Sequence, residues 1–178
     1  MTEPAAPDSS PAAPDGLEIR AAWRRDDPQI EADAIEFWKR LALLPPDAAP
    51  EQRAKELIAA AYRDGRLIAV STATIEWFEH LRARFAVLRG ATDPAHRRSR
   101  AQLALAVPSR QVLERWALDH PEEKLAGGLA FVETAEWGDF ARLPVWPESD
   151  LALIGYTTDG RQVRAAWFDH YRLDDRTA

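Results

Sequence analysis

The chain has 178 residues, with 23 lysines and arginines against 29 acidic residues, a formal charge of −6 and no cysteine. That length suits one domain able to bury a core without metals or cross-links, and the missing cysteines exclude disulfides, thiol nucleophiles and cysteine-ligated metals. The negative balance argues against a dedicated nucleic-acid binder, whose affinity rests on a basic surface that neutralises phosphates.

Residues 1–16, MTEPAAPDSSPAAPDG, carry neither the basic nor the apolar region of a secretory signal and too little apolar surface to fold, so a disordered tail is expected. No apolar run is long enough to cross a bilayer, and the chain is read as soluble and cytoplasmic, with no membrane partner. One domain is expected over 17–173, followed by a short tail over 174–178.

LEIRAAWR (17–24) alternates Leu17, Ile19 and Ala21 with Glu18 and Arg20, the period of a half-buried first strand. Asp27 and Pro28 then open a helix, with Ile30, Ala34, Phe37, Trp38 and Leu41 at helical spacing. A short second helix starts near Pro50. Asp64-Gly65 between two apolar runs marks a hairpin, and its second arm, RLIAVSTATI, is rich in β-branched residues. LRARFAVLRGATD (81–93) reads as the next strand, in which Gly90 signals a bulge or a close backbone approach.

That strand runs into TDPAHRRSRAQLAL (92–105), which places His96, Arg97, Arg98 and Arg100 at the start of a helix expected from about Arg97, with Pro108 as a kink or break. Positive charge opposes the dipole at a helix start, at a cost of a few tenths to about 1 kcal/mol per charge. The cluster is therefore read as an anion site built on unpaired amides, ahead of a merely solvated loop and ahead of a nucleic-acid patch. LAGGLAFVET (125–134) is a strand, and residues 151–173 form a second hairpin turning at Asp159-Gly160. The fold class is α/β (α+β): a mixed, mostly antiparallel central sheet flanked by helices.

This element order, and the loop HRRSRA within it, resembles the GNAT superfamily of acyl-CoA-dependent N-acyltransferases. In that family a strand with a bulge leads into a loop of the form Q/R-x-x-G-x-G/A, whose amides hold the pyrophosphate of coenzyme A. His96 stands at the Gln/Arg position, Ser99 at the first glycine and Ala101 at the final Gly/Ala. The resemblance implies a coenzyme site made by Leu88 and Gly90 on the strand and by His96, Arg97, Arg98, Ser99, Arg100 and Ala101 in the loop. It implies acetyl-CoA or another acyl-CoA as co-substrate and transfer to an amine of a small molecule or peptide; no metal is expected, because the histidines are scattered.

For the base, Glu76 and His80 stand near the end of the third strand, where the family often places one; a solvated turn is the competing reading. For the acid, the family's fourth helix has no counterpart in AEWGDFARLPVWPESD (135–150), and Tyr156 is the nearest tyrosine. The four histidines lack metal spacing. Asp169 and His170, as neighbours on a strand, would face opposite sides and form no dyad. Trp23, Trp38, Trp116 and Trp167 are expected in the core. The segment with Trp137, Phe140 and Trp146 would wall an acceptor pocket, cover a sheet edge or form a homodimer face. The alternative to an enzyme is a catalytically inactive module of this fold that binds coenzyme A or a protein partner.

Overall fold

The structure is a computed structural model, and it describes residues 16–132 and 138–172. The proposed tails, Trp137 and the end of the 125–134 strand therefore lie wholly or largely outside the described residues.

The first half follows from local signals. β1 (Glu18–Ala21) leads to α1 (Pro28–Arg40), where the Asp27 carboxylate accepts from the Gln29 and Ile30 amides at 3.1 Å each. Such a cap contributes about 1 kcal/mol. α1 buries Ile30, Ala34, Phe37 and Trp38, and the short α2 (Pro50–Ala54) packs beside it. β2 (Leu57–Arg63) and β3 (Arg66–Phe78) form the expected hairpin; Asp64 and Gly65 both have positive φ, 51° and 73°, as a two-residue turn of this hand demands.

β4 (Ala83–Thr92) pairs with β3 in one unbroken register from Phe78↔Ala83 to Ala69↔Thr92, so Gly90 is not a bulge. α3 (Ala101–Asp119) crosses over to β5 (Leu125–Val132), which lies parallel to β4. The extra residue is in β5: Arg84 opposes Leu125 and Phe85 opposes Gly127, leaving Ala126 unmatched. β6 (Ala152–Tyr156) and β7 (Gln162–Trp167) complete a seven-stranded sheet in the order β1-β2-β3-β4-β5-β7-β6. β4–β5 is its parallel pair.

α1 and α2 cover one face of the sheet, and α3 covers the other through Leu105, Leu113 and Ala117. Pro108 sits inside α3 without ending it. α3 also starts later than the charge pattern suggests. Residues Pro94–Ser99 form a tighter 3₁₀ turn, Arg100 is left-handed at φ 58°, and the α-helix begins only at Ala101. Asp169 and His170 follow the end of β7 rather than lying on it. Trp23 and Trp38 are core, Trp116 is half-buried, and Trp167 is exposed while meeting Phe85 edge-on at 5.5 Å. Among the described residues, no helix is long and apolar enough to cross a membrane.

Candidate functional site

The β4–β5 ladder ends at Leu88↔Ala130, although β4 continues to Thr92 and β5 to Val132. A parallel pair that stops short leaves two strand edges without each other as partners. A cavity of about 440 Å³ occupies this place on the α3 face of the sheet. Its floor includes Leu88, Gly90, Gly128 and Ala130, one wall is α3 from Gln102 to Leu113, and the opposite wall is Trp146, Ser149 and Leu151.

The lining is mainly apolar, with polar groups at separate points. At the floor, the hydroxyls of Ser71 and Ser109 share a hydrogen bond of 2.6 Å, and Ser71 also reaches the Ala59 carbonyl at 3.5 Å. Near the start of α3, the Gln102 carboxamide covers Gly90: a Cβ on that glycine would stand 2.1 Å from Gln102 Nε2. Gly90 thus serves a close approach by a side chain. Gln102 Oε1 also accepts from the Thr92 hydroxyl at 3.2 Å. Across the two walls, Arg110 on α3 bonds to Asp150, to Asp169 at 3.2 Å and to the Trp167 carbonyl at 3.3 Å.

The loop from β4 to α3 is anchored by one carboxylate. Asp93 is 5% exposed; it accepts from Arg40 Nη1 at 2.7 Å and from the Ala95 amide at 3.0 Å, while its own amide donates to the Ile68 carbonyl at 2.8 Å. Arg66, on the β2–β3 hairpin, stands 3.9 Å away. The Arg40 hydrogen bond, and then the Ala95 amide, hold the Asp93 carboxyl below its ordinary value.

Of the residues expected to hold a coenzyme, Leu88 and Gly90 line the cavity, whereas residues 96–101 are not among the described residues that do. His96 to Arg100 lie in the loop between β4 and α3, and Ala101 opens α3. Besides the Ala95 amide, two amides here have internal acceptors: the His96 amide donates to the Asp93 carbonyl at 2.7 Å, and the Ala101 amide to the Ser99 hydroxyl at 3.3 Å. The Ser99 side chain is thereby engaged with the first amide of α3. α3 itself has no side-chain cap, so the amides of its first turn, at Gln102 and Leu103, occupy positions without an intrahelical acceptor. Both residues line the cavity.

The expected acid–base residues are elsewhere. Glu76 is exposed and accepts from the Thr74 hydroxyl at 2.7 Å. It pairs with Phe85, three steps along the ladder from Ala73↔Leu88, or roughly 10 Å of strand. His80 is exposed in the turn after β3, and Tyr156 is 63% exposed on the edge strand β6. The described residues lining the cavity include no carboxylate, imidazole or phenol. Among the described residues, no cluster of histidines and carboxylates could hold a metal ion.

Gln102 and the Ser71–Ser109 pair were not singled out by sequence pattern, whereas Asp93-Pro94 reads as the entry to the basic loop. Asp93 carried a usable signal, an Asx residue before proline at a helix-like start; the serine pair, 38 residues apart, carried none.

No protein-family model and no curated protein matches the chain. Solved structures do. An acetyltransferase of the GNAT family from Streptococcus pneumoniae superposes with a TM-score of 0.53 at 14% identity, covering 85% of this chain and 99% of that one. The yncA protein of Salmonella typhimurium, solved with its cofactor acetyl-CoA, gives 0.56 at 12% identity, covering 90% and 99%. A bacterial toxin gives 0.52 at 13%, covering 86% and 92%. With the parallel β4–β5 pair opening beside α3, the chain has the fold of the GNAT acetyltransferases.

Proposed function

We propose that the chain binds an acyl-CoA, acetyl-CoA first, and transfers the acyl group to an amine. The observation that carries this reading is the cavity between the diverging ends of β4 and β5, flanked by the uncapped start of α3. Similar folds include one solved with acetyl-CoA. The residues present fit such a ligand. A mostly apolar slot of about 440 Å³ with a few separate polar groups suits a pantetheine arm. Arg97 and Arg100 in the adjoining loop supply charge-assisted partners for phosphates.

An acyl-CoA supplies an activated thioester carbonyl. The chain's part is to hold that carbonyl against the free edge of β4 beyond Leu88, where backbone N–H groups polarise it while the amine nitrogen attacks. A C–N bond forms, the C–S bond breaks, and the proton lost by the amine leaves through water. The thiolate departs without a dedicated acid among the described residues that line the cavity.

The lack of a carboxylate, imidazole or phenol among the described lining residues favours one rival: a module that binds coenzyme A without turning it over. Thermal-shift titration with acetyl-CoA and coenzyme A tests the shared claim, since a ligand selective for the folded state raises the melting temperature. Release of free thiol in the presence of a panel of amines separates enzyme from binder. Failure of both ligands to shift the melting temperature would remove both readings.

A further inference from the structure

The cavity's second wall is made by chain that is not a helix, and it needs another means of satisfying its backbone. Among the described residues of this wall are a 3₁₀ turn at Gly138–Arg142, a bridge between Val145 and Ala152, and a tight turn in which Glu148 and Asp150 are left-handed at φ 70° and 56°. Buried carbonyls without partners cost free energy comparable to a lost hydrogen bond. One side chain reaches three carbonyls here, of which that of Leu151 also accepts from the Trp146 amide at 3.1 Å. Arg164, on β7, is 0% exposed, and its guanidinium donates to the carbonyls of Ala141 at 2.9 Å, Leu143 at 2.8 Å and Leu151 at 3.2 Å.

Two neighbours fix the guanidinium itself. Its Nε donates to Gln162 Oε1 at 2.8 Å, while Gln162 Nε2 donates to the same Ala141 carbonyl at 2.8 Å. Its Cζ also lies 4.5 Å from the centroid of the Trp146 ring, a cation–π distance. Trp146 and Leu151 both line the cavity. The same group thus ties down both ends of the wall and stacks on the residue between them. No carboxylate among the described residues pairs with it. A planar five-donor fork suits this task where a lysine ammonium does not.

We propose that Arg164 is a positioning residue: it holds residues 141–151 as the cavity's second wall, and so keeps the slot in the shape that binds coenzyme A. The second half of this proposal rests on the acyl-CoA reading above; the first does not. If the wall adopts its binding shape only about a tenth of the time without the guanidinium, apparent affinity falls about tenfold.

The test compares full-length wild type with Arg164→Met, Arg164→Lys and Gln162→Leu. Hydrogen exchange is read without ligand, and coenzyme A binding by calorimetry. Arg164→Met should raise exchange in residues 141–151 while leaving β2–β4 protected, and should weaken coenzyme A about tenfold. Arg164→Lys should rescue little. Unchanged exchange over 141–151 in folded Arg164→Met would overturn the proposal, as would unchanged coenzyme A affinity in a variant whose wall has loosened. Should Arg164→Met not fold, Gln162→Leu carries the same expectation at smaller amplitude, and unchanged exchange there is equally contrary. A wild type that binds no coenzyme A removes the acyl-CoA reading and the slot role with it; exchange still decides whether Arg164 holds the wall.

Discussion

Arg40 Nη1 lies 2.7 Å from Asp93 Oδ2, a bond that ties the last turn of α1 to the first residue of the loop between β4 and α3. The two residues are 53 apart in sequence. Through this contact the helix on one face of the sheet sets where the basic loop on the other side of β4 begins.

Asp93→Asn should therefore lower stability by about 2 kcal/mol, the scale of a hydrogen bond to a charged group, in urea unfolding at pH 7. The pH dependence follows from the depressed Asp93 value. A group whose folded pKa lies below its unfolded one contributes stability above the unfolded value, about 4 for aspartate, and loses it as pH falls through the folded value. Wild type should lose more stability than Asp93→Asn between pH 5 and pH 2, and equal acid slopes would show that the pair contributes nothing.

Two glycines should respond differently to alanine. A Cβ at Gly127 would stand 2.0 Å from the backbone oxygen of Ala166 on β7, so the β5–β7 ladder would have to shift. Gly127→Ala should cost roughly 3 kcal/mol or prevent folding. At Gly90 the obstacle is the end of the Gln102 side chain, which can move. Gly90→Ala should cost less than about 1 kcal/mol, and removing Gln102 as well should recover that loss, a coupling readable in a double-mutant cycle.

At the cavity floor, Ser109→Ala leaves Ser71 with only its 3.5 Å contact to the Ala59 carbonyl. The expected loss is about 1 kcal/mol in the same urea assay, with the cavity otherwise intact.

Glu76→Gln, His80→Ala and Tyr156→Phe each alter a group that does not line the cavity. All three should retain coenzyme A affinity and keep thiol release within about threefold of wild type, whereas losing a base or acid that touches the reacting atoms costs on the order of a hundredfold. A hundredfold loss in any one of them would place the amine on that residue's side of the sheet.

Most of the architecture was legible because local chemistry and tertiary structure agree. Asp27-Pro28 opens α1, Asp64-Gly65 turns the first hairpin, and the β-branched run after it is β3. The site was less so. Arginines 97, 98 and 100 suggested a helix start, yet the left-handed Arg100 separates that turn from α3. Gly90 reads as a bulge or a close backbone approach, whereas the register through it is unbroken and the group that approaches is the Gln102 side chain. Arg164 and Gln162 alternate with Val163 and Ala165 as a solvated strand face would, yet both are buried, because carbonyls from a segment some twenty residues earlier accept their hydrogen bonds. Such long-range pairings leave no periodic trace in the sequence.

The central claim is that the cavity between β4, β5 and α3 is a coenzyme A slot, and its most direct test is calorimetric titration of coenzyme A into wild type and Ala106→Trp, whose indole would fill the slot from α3. Binding should be saturable at one site per chain in wild type and absent in a folded Ala106→Trp. No binding to wild type at millimolar coenzyme A, or equal binding to both proteins, would contradict it.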